Sequence, residues 1–405
     1  MADFFQNGII TTLHRLQNRP IESIEAELNE FSREKPMALI LPSLYSELEG
    51  DALPIIVKDL AKATYIKDII VGLDRATRSQ FEHAKSFFKE LSQNVHILWN
   101  DGDKFRAIDE KLSRVNLSPL EAGKGRNVWY CFGYALALES PQAIALHDCD
   151  ILTYDRSMVA RLFYPLVNPT FNFEFCKGYY ARIHNNKLSG RMTRLFVTPL
   201  IRALKMVIGP VDYLEYMDSF RYPLSGEFSM SKDMIKTLRM PTDWGLEVGV
   251  LSEVYRDLST NQICQVDIAD QYDHKHQTLT AEEGQGGLEK MSVEIAKAFF
   301  RKLATQGHSI SSENVRAVKA SYFRTALDCA EQYYYDAKIN GLTYDRHTEE
   351  TSIELFAQSI MHAGDSFLKN PMQAPFIPNW NRVTSAIPDI SEMLLSAVED
   401  DKKSL

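Results

Sequence analysis

The chain has 405 residues, of which 45% are hydrophobic and 24% charged, so it can bury the large core of a globular protein. Its formal net charge of -9 argues against nucleic-acid binding, and an anionic substrate would need local cations or a metal ion. No apolar run approaches the about 20 residues of a membrane span, and the N-terminus lacks the pattern of a signal peptide. The 5 cysteines are widely spaced, so we expect a cytoplasmic protein with reduced thiols and no membrane partner.

The first 155 residues change pattern at residue 36. Residues 1–35 place apolar side chains at helical spacing and predict a helical N-terminal extension. Short apolar runs then alternate with longer amphipathic stretches. The runs predict strands at residues 38–41, 68–73, 95–99 and 143–146, and the stretches predict helices at residues 53–63, 77–91 and 127–138. This alternation predicts an α/β fold with a mainly parallel sheet covered by helices on both faces.

The rest of the chain divides into two further regions. Residues 156–285 are less regular, with loops at 184–187 and 190–191, a helix at 193–207 and a strand at 263–268. Residues 286–405 have helical patterns throughout and predict a C-terminal helical appendage. We therefore divide residues 36–285, the predicted α/β domain, into a nucleotide-binding half at 36–155 and an acceptor half at 156–285.

Ligands of parallel sheets bind beyond the carboxyl ends of the strands, which makes the residues after each run candidates. These residues are 42–47, 74–77, 101–103 and 148–150. Asp148 and Asp150 directly follow the run at 143–146 and could hold Mg²⁺ or Mn²⁺ against a diphosphate. The residues 101–103, Asp-Gly-Asp, have the same form but are expected in a loop. Helix capping or turn formation is the alternative for Asp148 and Asp150.

Three other segments carry polar chemistry. Residues 123–126, Gly-Lys-Gly-Arg, precede an aromatic helical stretch, so Lys124 and a helix N-terminus could meet a phosphate, unless this is an ordinary loop. His274 and His276 could reach one ligand together, or could lie in a solvated loop. Glu227 and Glu247 stand in mostly apolar, glycine-containing sequence, which predicts buried carboxylates with either catalytic or structural hydrogen bonds.

In this order the segments resemble the glucosyl-3-phosphoglycerate synthases, retaining glycosyltransferases of GT-A fold, over about residues 37–285. The resemblance is carried by four phrases: Gly190-Arg191-Met192-Thr193, Pro199-Leu200, Pro223-Leu224-Ser225-Gly226-Glu227 and Gly245-Leu246-Glu247-Val248-Gly249. It implies a metal-dependent enzyme that transfers glucose from a nucleotide sugar, with UDP-glucose as first choice, to 3-phosphoglycerate. It also implies a homodimer, to which the tyrosines at 333–335 would contribute.

The resemblance implies a role for each candidate residue. Donor-binding residues would be Pro42, Leu44, Glu47, Asp74, Lys124, Asp148, Cys149 and Glu227. Acceptor-binding residues would be Gly190, Arg191, Met192, Thr193 and His276. Asp150 and His274 would ligate Mg²⁺ or Mn²⁺, and Glu247 would act with Asp150 in catalysis by orienting the sugar or the attacking hydroxyl.

Two departures from the family pattern leave the substrates open. The first motif, Pro42-Ser43-Leu44-Tyr45-Ser46-Glu47, is one residue longer than usual, which leaves UDP, GDP and ADP as possible carriers. His276 replaces an asparagine common in relatives, which leaves glycerate as a possible acceptor. Mannosyl transfer, a non-catalytic nucleotide-sugar sensor and a nucleotidyltransferase are the alternatives in function. The expected biological roles are compatible-solute synthesis or polysaccharide priming.

Overall fold

The computed structural model describes residue 6 and residues 8–119, 123–241, 245–274, 281–371 and 377–403. Within these residues nine strands form one sheet in the order β1-β9-β6-β8-β5-β2-β3-β4, with β7 beside β6. The strands are β1 (Thr11–Leu13), β2 (Met37–Leu44), β3 (Ile66–Asp74), β4 (Asn94–Trp99), β5 (Ala143–Leu146), β6 (Phe175–His184), β7 (Lys187–Leu188), β8 (Phe228–Ser231) and β9 (Ile263–Tyr272).

The sheet is mainly parallel, as predicted. Strand β2 pairs in parallel with β3 and β5, and β3 pairs in parallel with β4. Strand β8 runs antiparallel between β5 and β6, while β9 is parallel to β6 and β1 is parallel to β9. Strands β2, β3, β4 and β5 therefore end at one edge of the sheet, where a ligand can meet several loops at once.

Helices connect the strands and fill the C-terminal part of the chain. They are α1 (Ile21–Phe31), α2 (Tyr45–Leu48), α3 (Ala52–Leu60), α4 (Arg78–Phe87), α5 (Asp103–Arg114), α6 (Lys124–Ala137), α7 (Arg156–Val167), α8 (Thr198–Ile208), α9 (Asp212–Asp218), α10 (Lys232–Thr237), α11 (Leu246–Asp257), α12 (Ala281–Thr305), α13 (Ser312–Ile339), α14 (Arg346–Lys369), α15 (Trp380–Ala386) and α16 (Ile390–Lys403). A π-helical turn, Met192–Val197, leads directly into α8. None of the described helices combines the length and the apolar character that crossing a membrane requires.

Each face of the sheet has its own hydrophobic core because successive side chains of a strand point to opposite faces. In β2, Ala38 and Ile40 pack into one cluster, and Leu39 and Leu41 pack into the other. Helices α1, α3, α4 and α7 cover the second face. The first cluster runs from the sheet through α6, α8 and α11 into α12–α16, so the C-terminal helices share a core with the α/β domain.

The structure contains strands that the sequence patterns did not reveal. The N-terminal extension holds helix α1, as predicted, but also strand β1, whose three residues are too short to show periodicity. Strand β6 spans ten residues in the region predicted to be less regular. The sequence did not reveal this strand because six of its residues are buried and show no alternation of apolar and polar side chains. The predicted loop at 184–187 is the β6–β7 turn, where Asn185 and Asn186 have φ of 47° and 58°, as two-residue hairpins require.

The C-terminal region is helical, as predicted, and is anchored to the α/β domain by aromatic stacking. The ring of Trp380 stacks on that of Trp129 at 4.3 Å, and its Nε1 donates to the Trp129 carbonyl at 3.1 Å. Of the tyrosines at 333–335, only Tyr335 is largely exposed, at 58%, whereas Tyr333 lies beneath the guanidinium of Arg194. The expected homodimer stays a prediction.

The substitution Gly133→Ala tests the docking of the C-terminal helices. A Cβ at this position of α6 would lie 2.0 Å from Cζ2 of Trp380, whose ring is buried and stacks on Trp129. Because the ring would have to shift away from that contact, we expect the free energy of unfolding to fall by about 1–3 kcal/mol in urea titration.

The matched control is Gly287→Ala in α12, where a Cβ would meet no atom within 4 Å. It should raise the free energy of unfolding by about 0.5–1 kcal/mol, since alanine is the better helix former. Equal effects of the two substitutions would contradict the proposed importance of the Trp129–Trp380 contact.

Candidate active site

The first candidate site is a cleft of about 450 Å³ at the carboxyl ends of β2, β3, β4 and β5, here called the strand-end cleft. Seven residues in it were predicted to bind a donor: Pro42, Leu44, Glu47, Asp74, Lys124, Asp148 and Cys149. Asp150, predicted as a metal ligand, also lines the cleft. Six further residues line the cleft without having been given a role, namely Ser43, Arg75, Asp101, Gly123, Arg126 and Asn127. All but Asn127 lie inside segments that the sequence analysis had marked as candidates, either by the strand-end rule or as the Gly-Lys-Gly-Arg segment.

A second cleft, of about 650 Å³, opens beside the β6–β7 turn and is here called the hairpin cleft. Gly190, Arg191 and Met192 line it, as the predicted acceptor role requires. Other lining side chains bring positive charge or an apolar wall: Arg182, His184, Lys187, Tyr222, Leu224, Leu288, Met291 and Ile295. Gly190 has φ of +75°, a conformation that favours glycine, so the chain turns sharply just before Arg191.

Lys124 and Asp148 line both clefts and therefore mark their junction. The ammonium of Lys124 lies 2.7 Å from Oδ1 of Asp148 and 3.6 Å from Oε1 of Glu247. Burial alone would raise the pKa of Asp148, but the charge of Lys124 offsets it and holds that pKa below its usual value. Burial would likewise lower the pKa of Lys124, but the two carboxylates hold it above its usual value. Lys124 and Asp148 are therefore both charged at neutral pH.

The local backbone explains how the three charges meet. Lys124 is the first residue of α6, so its ammonium shares the positive N-terminus of that helix. Glu247 stands in the first turn of α11. Asp148 follows β5 and lies against Gly226, where a Cβ would approach its Oδ2 to 2.5 Å. Gly226 therefore provides the space that the Asp148 carboxylate occupies.

Asp150 and His274, the predicted metal ligands, meet although 124 residues separate them. An isolated antiparallel bridge between Ile151 and His274 joins their backbones, and the Leu152 N–H donates to the Asp273 carbonyl at 2.9 Å. The Oδ2 of Asp150 and the Nδ1 of His274 lie 3.3 Å apart. The Nε2 of His274 contacts the guanidinium of Arg182.

This pair fits a divalent cation. Two ligands at right angles on a cation, each about 2.1 Å from it, lie about 3 Å apart, close to the observed separation. Within the described residues no group of three or more His, Cys, Asp or Glu side chains converges. Two protein ligands suit Mg²⁺ or Mn²⁺ nevertheless, because Mg²⁺ in particular keeps water molecules and binds substrate phosphates at its other positions.

Two predicted residues in the described part of the chain, Thr193 and Glu227, are not in the walls of either cleft. Thr193 is buried, and its Oγ1 has no hydrogen-bond partner among the described residues. Glu227 lies beneath the junction instead of in the strand-end cleft. His276 lies outside the described residues, so its predicted contact with an acceptor stays a prediction.

Glu227 is held by a complete set of hydroxyl donors. Its Oε2 accepts from Tyr180 and from Ser225, each at 2.8 Å, and its Oε1 accepts from Tyr272 at 2.8 Å. Burial, with the nearby charge of Asp148, raises the pKa of this carboxyl. The structural alternative considered for Glu227 therefore matches its contacts, since it ties β6, β8 and β9 together below the charged junction.

Lys177 was missed by the sequence analysis and lies on β6, next to the hydroxyl groups that bind Glu227. It is 1% exposed, and its Nζ donates to the Ser225 carbonyl at 2.5 Å. Burial lowers its pKa to about 8, while Glu247 and Glu227 act in the opposite direction. Lys177 is thus a buried cation at neutral pH. Its only signal in the sequence was its position within a largely apolar segment, and that segment was not recognised as a strand.

Comparison with known proteins identifies close relatives along the whole chain. A glucosyl-3-phosphoglycerate synthase of Persephonella marina is 46% identical over 401 residues, covering 99% of both chains. A second, of Methanococcoides burtonii, is 39% identical over 406 residues, covering 99% of this chain and 98% of the relative. No family model matches the chain.

A solved structure shows the fold. The glucosyl-3-phosphoglycerate synthase of Mycobacterium tuberculosis, in complex with Mn²⁺, uridine diphosphate and glucosyl-3-phosphoglycerate, is 21% identical and has a TM-score of 0.52. The similarity covers 75% of this chain and 89% of the other. The shared architecture is the α/β fold described above.

The pH dependence of stability tests the buried position of Lys177. Between pH 8 and 10.5 the unfolded chain holds the Lys177 proton and the folded chain does not, so stability should rise with pH. Relative to Lys177→Met, which cannot titrate, the wild type should gain about 3 kcal/mol of unfolding free energy across this window. Urea titrations at several pH values measure the difference.

Lys205→Met is the matched control, because Glu215 and Asp218 lie 2.8 and 3.0 Å from that ammonium and hold its pKa above the usual value against the effect of burial. The contribution of Lys205 to the free energy of unfolding is lost only as the pH rises above 10.5. Between pH 8 and 10.5 the wild type should therefore gain no stability relative to Lys205→Met. Parallel pH profiles for wild type and Lys177→Met would show that Lys177 is not desolvated.

Proposed function

The chain belongs to the glucosyl-3-phosphoglycerate synthase family, and from this we propose that it transfers glucose from UDP-glucose to 3-phosphoglycerate with retention of configuration. The predictions of the family and of a glycosyltransferase are confirmed by the relatives, and the predicted fold is confirmed by the solved structure. The Mn²⁺ in that structure supports the proposal of a divalent cation as cofactor here. The donor base, the sugar, the acceptor and the residue roles given below are proposals.

The observation that carries the proposal is the junction of the two clefts at Lys124 and Asp148. A transferase must bring the anomeric carbon of a donor and the hydroxyl of an acceptor into contact, which requires two sites that share one boundary. The strand-end cleft would take the nucleotide sugar and the hairpin cleft would take the acid. The glucose would then lie at the junction, near Glu247.

In the strand-end cleft, the two halves of the donor would meet different side chains. Pro42 and Leu44 offer an apolar surface to the base, and Asp74 and Glu47 offer carboxylates to the hydroxyls of the ribose. The diphosphate would meet the ammonium of Lys124 and the N-terminus of α6. A divalent cation held by Asp150 and His274 would supply Lewis-acid charge to the same phosphates.

In the hairpin cleft, the charges suit a small acid that carries a carboxylate and a phosphate. Arg182, Lys187 and Arg191 line it, and a guanidinium can bind either group through two parallel hydrogen bonds. The hydroxyl on the second carbon of the acid would then face the junction. We propose a phosphorylated acceptor over glycerate because its carboxylate and its phosphate can each meet a different one of these cations.

The reaction would exchange one bond at the anomeric carbon for another. The bond from this carbon to the β-phosphate oxygen breaks, the bond to the acceptor hydroxyl oxygen forms on the same face, and the hydroxyl proton is released. Lys124 would stabilise the negative charge that develops on the departing diphosphate, without changing its own protonation. Glu247 would orient a sugar hydroxyl by accepting its hydrogen bond.

The assay that tests this function measures nucleoside diphosphate released from UDP-, GDP- and ADP-glucose and their mannose counterparts, crossed with 3-phosphoglycerate and glycerate. We expect release with UDP-glucose and 3-phosphoglycerate in Mg²⁺ or Mn²⁺, and none after chelation. The anomeric coupling in the NMR spectrum of the product should show the donor's configuration.

Each other outcome assigns a different function. Release with mannose donors alone would replace glucose by mannose, and release with glycerate alone would replace the acceptor. Donor binding without release would indicate a sensor, and release of pyrophosphate would indicate a nucleotidyltransferase.

Asp150→Ala tests the proposed metal site. Loss of one of two protein ligands should lower kcat/KM about 100-fold or more while the far-UV circular dichroism stays that of the wild type. Asp103→Ala is the control from the second Asp-x-Asp sequence, where Asp103 is 99% exposed on α5 and should be replaceable without loss. Normal activity of a folded Asp150→Ala protein would remove the metal assignment.

A further inference from the structure

A buried carboxylate of the C-terminal region contacts an arginine that lines the hairpin cleft. Glu349 lies in the first turn of α14, and its side chain is 6% exposed. Its Oε1 lies 3.0 Å from Nε of Arg191, and its Oε2 lies 2.9 Å from Nη1 of Arg194. A buried carboxylate is costly unless both oxygens are paired, and these two arginines supply the pairs.

The two arginines differ in how many of their donors are already used. Arg194 is 8% exposed and donates through Nε to the Ser189 carbonyl at 2.8 Å and through Nη2 to the Leu188 carbonyl at 3.3 Å. Its guanidinium also lies 4.9 Å from the centre of the Tyr333 ring. Arg194 is therefore fixed within the protein and supports the segment that leads to the cleft.

Arg191 keeps donors for a ligand. Its side chain is 39% exposed in the hairpin cleft, and among the described residues its one ion pair is made through Nε. The two Nη groups form the end of the guanidinium fork that can bind a carboxylate or phosphate through two bonds. Because Glu349 holds Nε, the plane of that fork is set before a ligand arrives.

The charges of this cluster favour an anion at Arg191. One carboxylate faces two guanidinium groups, so one positive charge is left, and the exposed Arg191 is the group able to share it with a ligand. Binding to a group that is already oriented loses less conformational entropy than binding to a mobile arginine. Leu288, Met291 and Ile295 of α12 add an apolar wall from the same C-terminal region.

We infer that Glu349 is a positioning residue for the acceptor, which orients Arg191 so that its fork receives the phosphate or carboxylate of the acid. The inference rests on the proposed function for the class of acceptor. It makes the C-terminal helices a part of the acceptor site, whereas the donor would be bound without them.

The test is a double-variant cycle on the Michaelis constant for 3-phosphoglycerate. Glu349→Gln should raise this constant about tenfold and leave the constant for UDP-glucose unchanged. In the Arg191→Ala background, Glu349→Gln should add nothing, because Arg191 is the group through which Glu349 acts. An equal effect of Glu349→Gln in both backgrounds, or a matching rise in both Michaelis constants, would overturn the inference.

Two further variants guard against a folding defect. Arg191→Lys keeps the charge in a half-exposed position but removes Nε and the fork, so it should also raise the constant for 3-phosphoglycerate about tenfold. An unchanged constant in this variant would overturn the inference. Glu350→Gln, the matched control on the same helix, removes an exposed carboxylate 3.8 Å from Arg346 and should change neither constant.

Calorimetric titration with 3-phosphoglycerate separates this inference from the proposed reaction. If the wild type releases no nucleoside diphosphate, the reaction fails, but the same cycle can be measured on the dissociation constant. Non-additive loss of binding in the cycle would support Glu349 as the positioning residue even then. Absence of 3-phosphoglycerate binding to the wild type would overturn both proposals.

Discussion

The ion pair between Lys124 and Asp148 is the interaction on which the arrangement of the site depends. Its 2.7 Å contact joins the N-terminus of α6 to the end of β5, and both residues border both clefts. Without the lysine, Asp148 and Glu247 would repel each other and any diphosphate that approached. The pair thus converts an acidic strand end into a place that can receive an anionic donor.

A second layer of polar contacts supports this pair from below. Glu227 collects three hydroxyl donors from β6, β9 and the loop before β8, and Lys177 binds the carbonyl of Ser225 in that loop. These bonds fix the backbone on either side of Gly226, and the Asp148 carboxylate packs against Gly226 itself. The position of the Asp148 carboxylate is therefore set by buried groups beneath both clefts, a common feature of precise sites.

The sequence predicted the parts of the molecule that rest on local patterns. The four apolar runs became β2, β3, β4 and β5, the strand-end rule selected Asp148 and Asp150, and the glycine-flanked lysine before a predicted helix selected Lys124. The sequence did not predict strand β6, because burial on both faces removes the alternation that marks a strand. Lys177, which lies within β6, was missed for the same reason. Long-range pairs such as Glu349 with Arg191 leave no local pattern at all, because they depend on how α14 packs against the α/β domain.

The division of the two clefts between different segments of the chain has a consequence for evolution. The walls of the strand-end cleft come from residues before 151, whereas those of the hairpin cleft come largely from residues 182–295, backed by α14. Changes in the C-terminal helices can therefore reshape the hairpin cleft while the strand-end cleft is inherited intact. Under the proposed function, a lineage could exchange its acceptor acid through mutations that never touch residues 36–155.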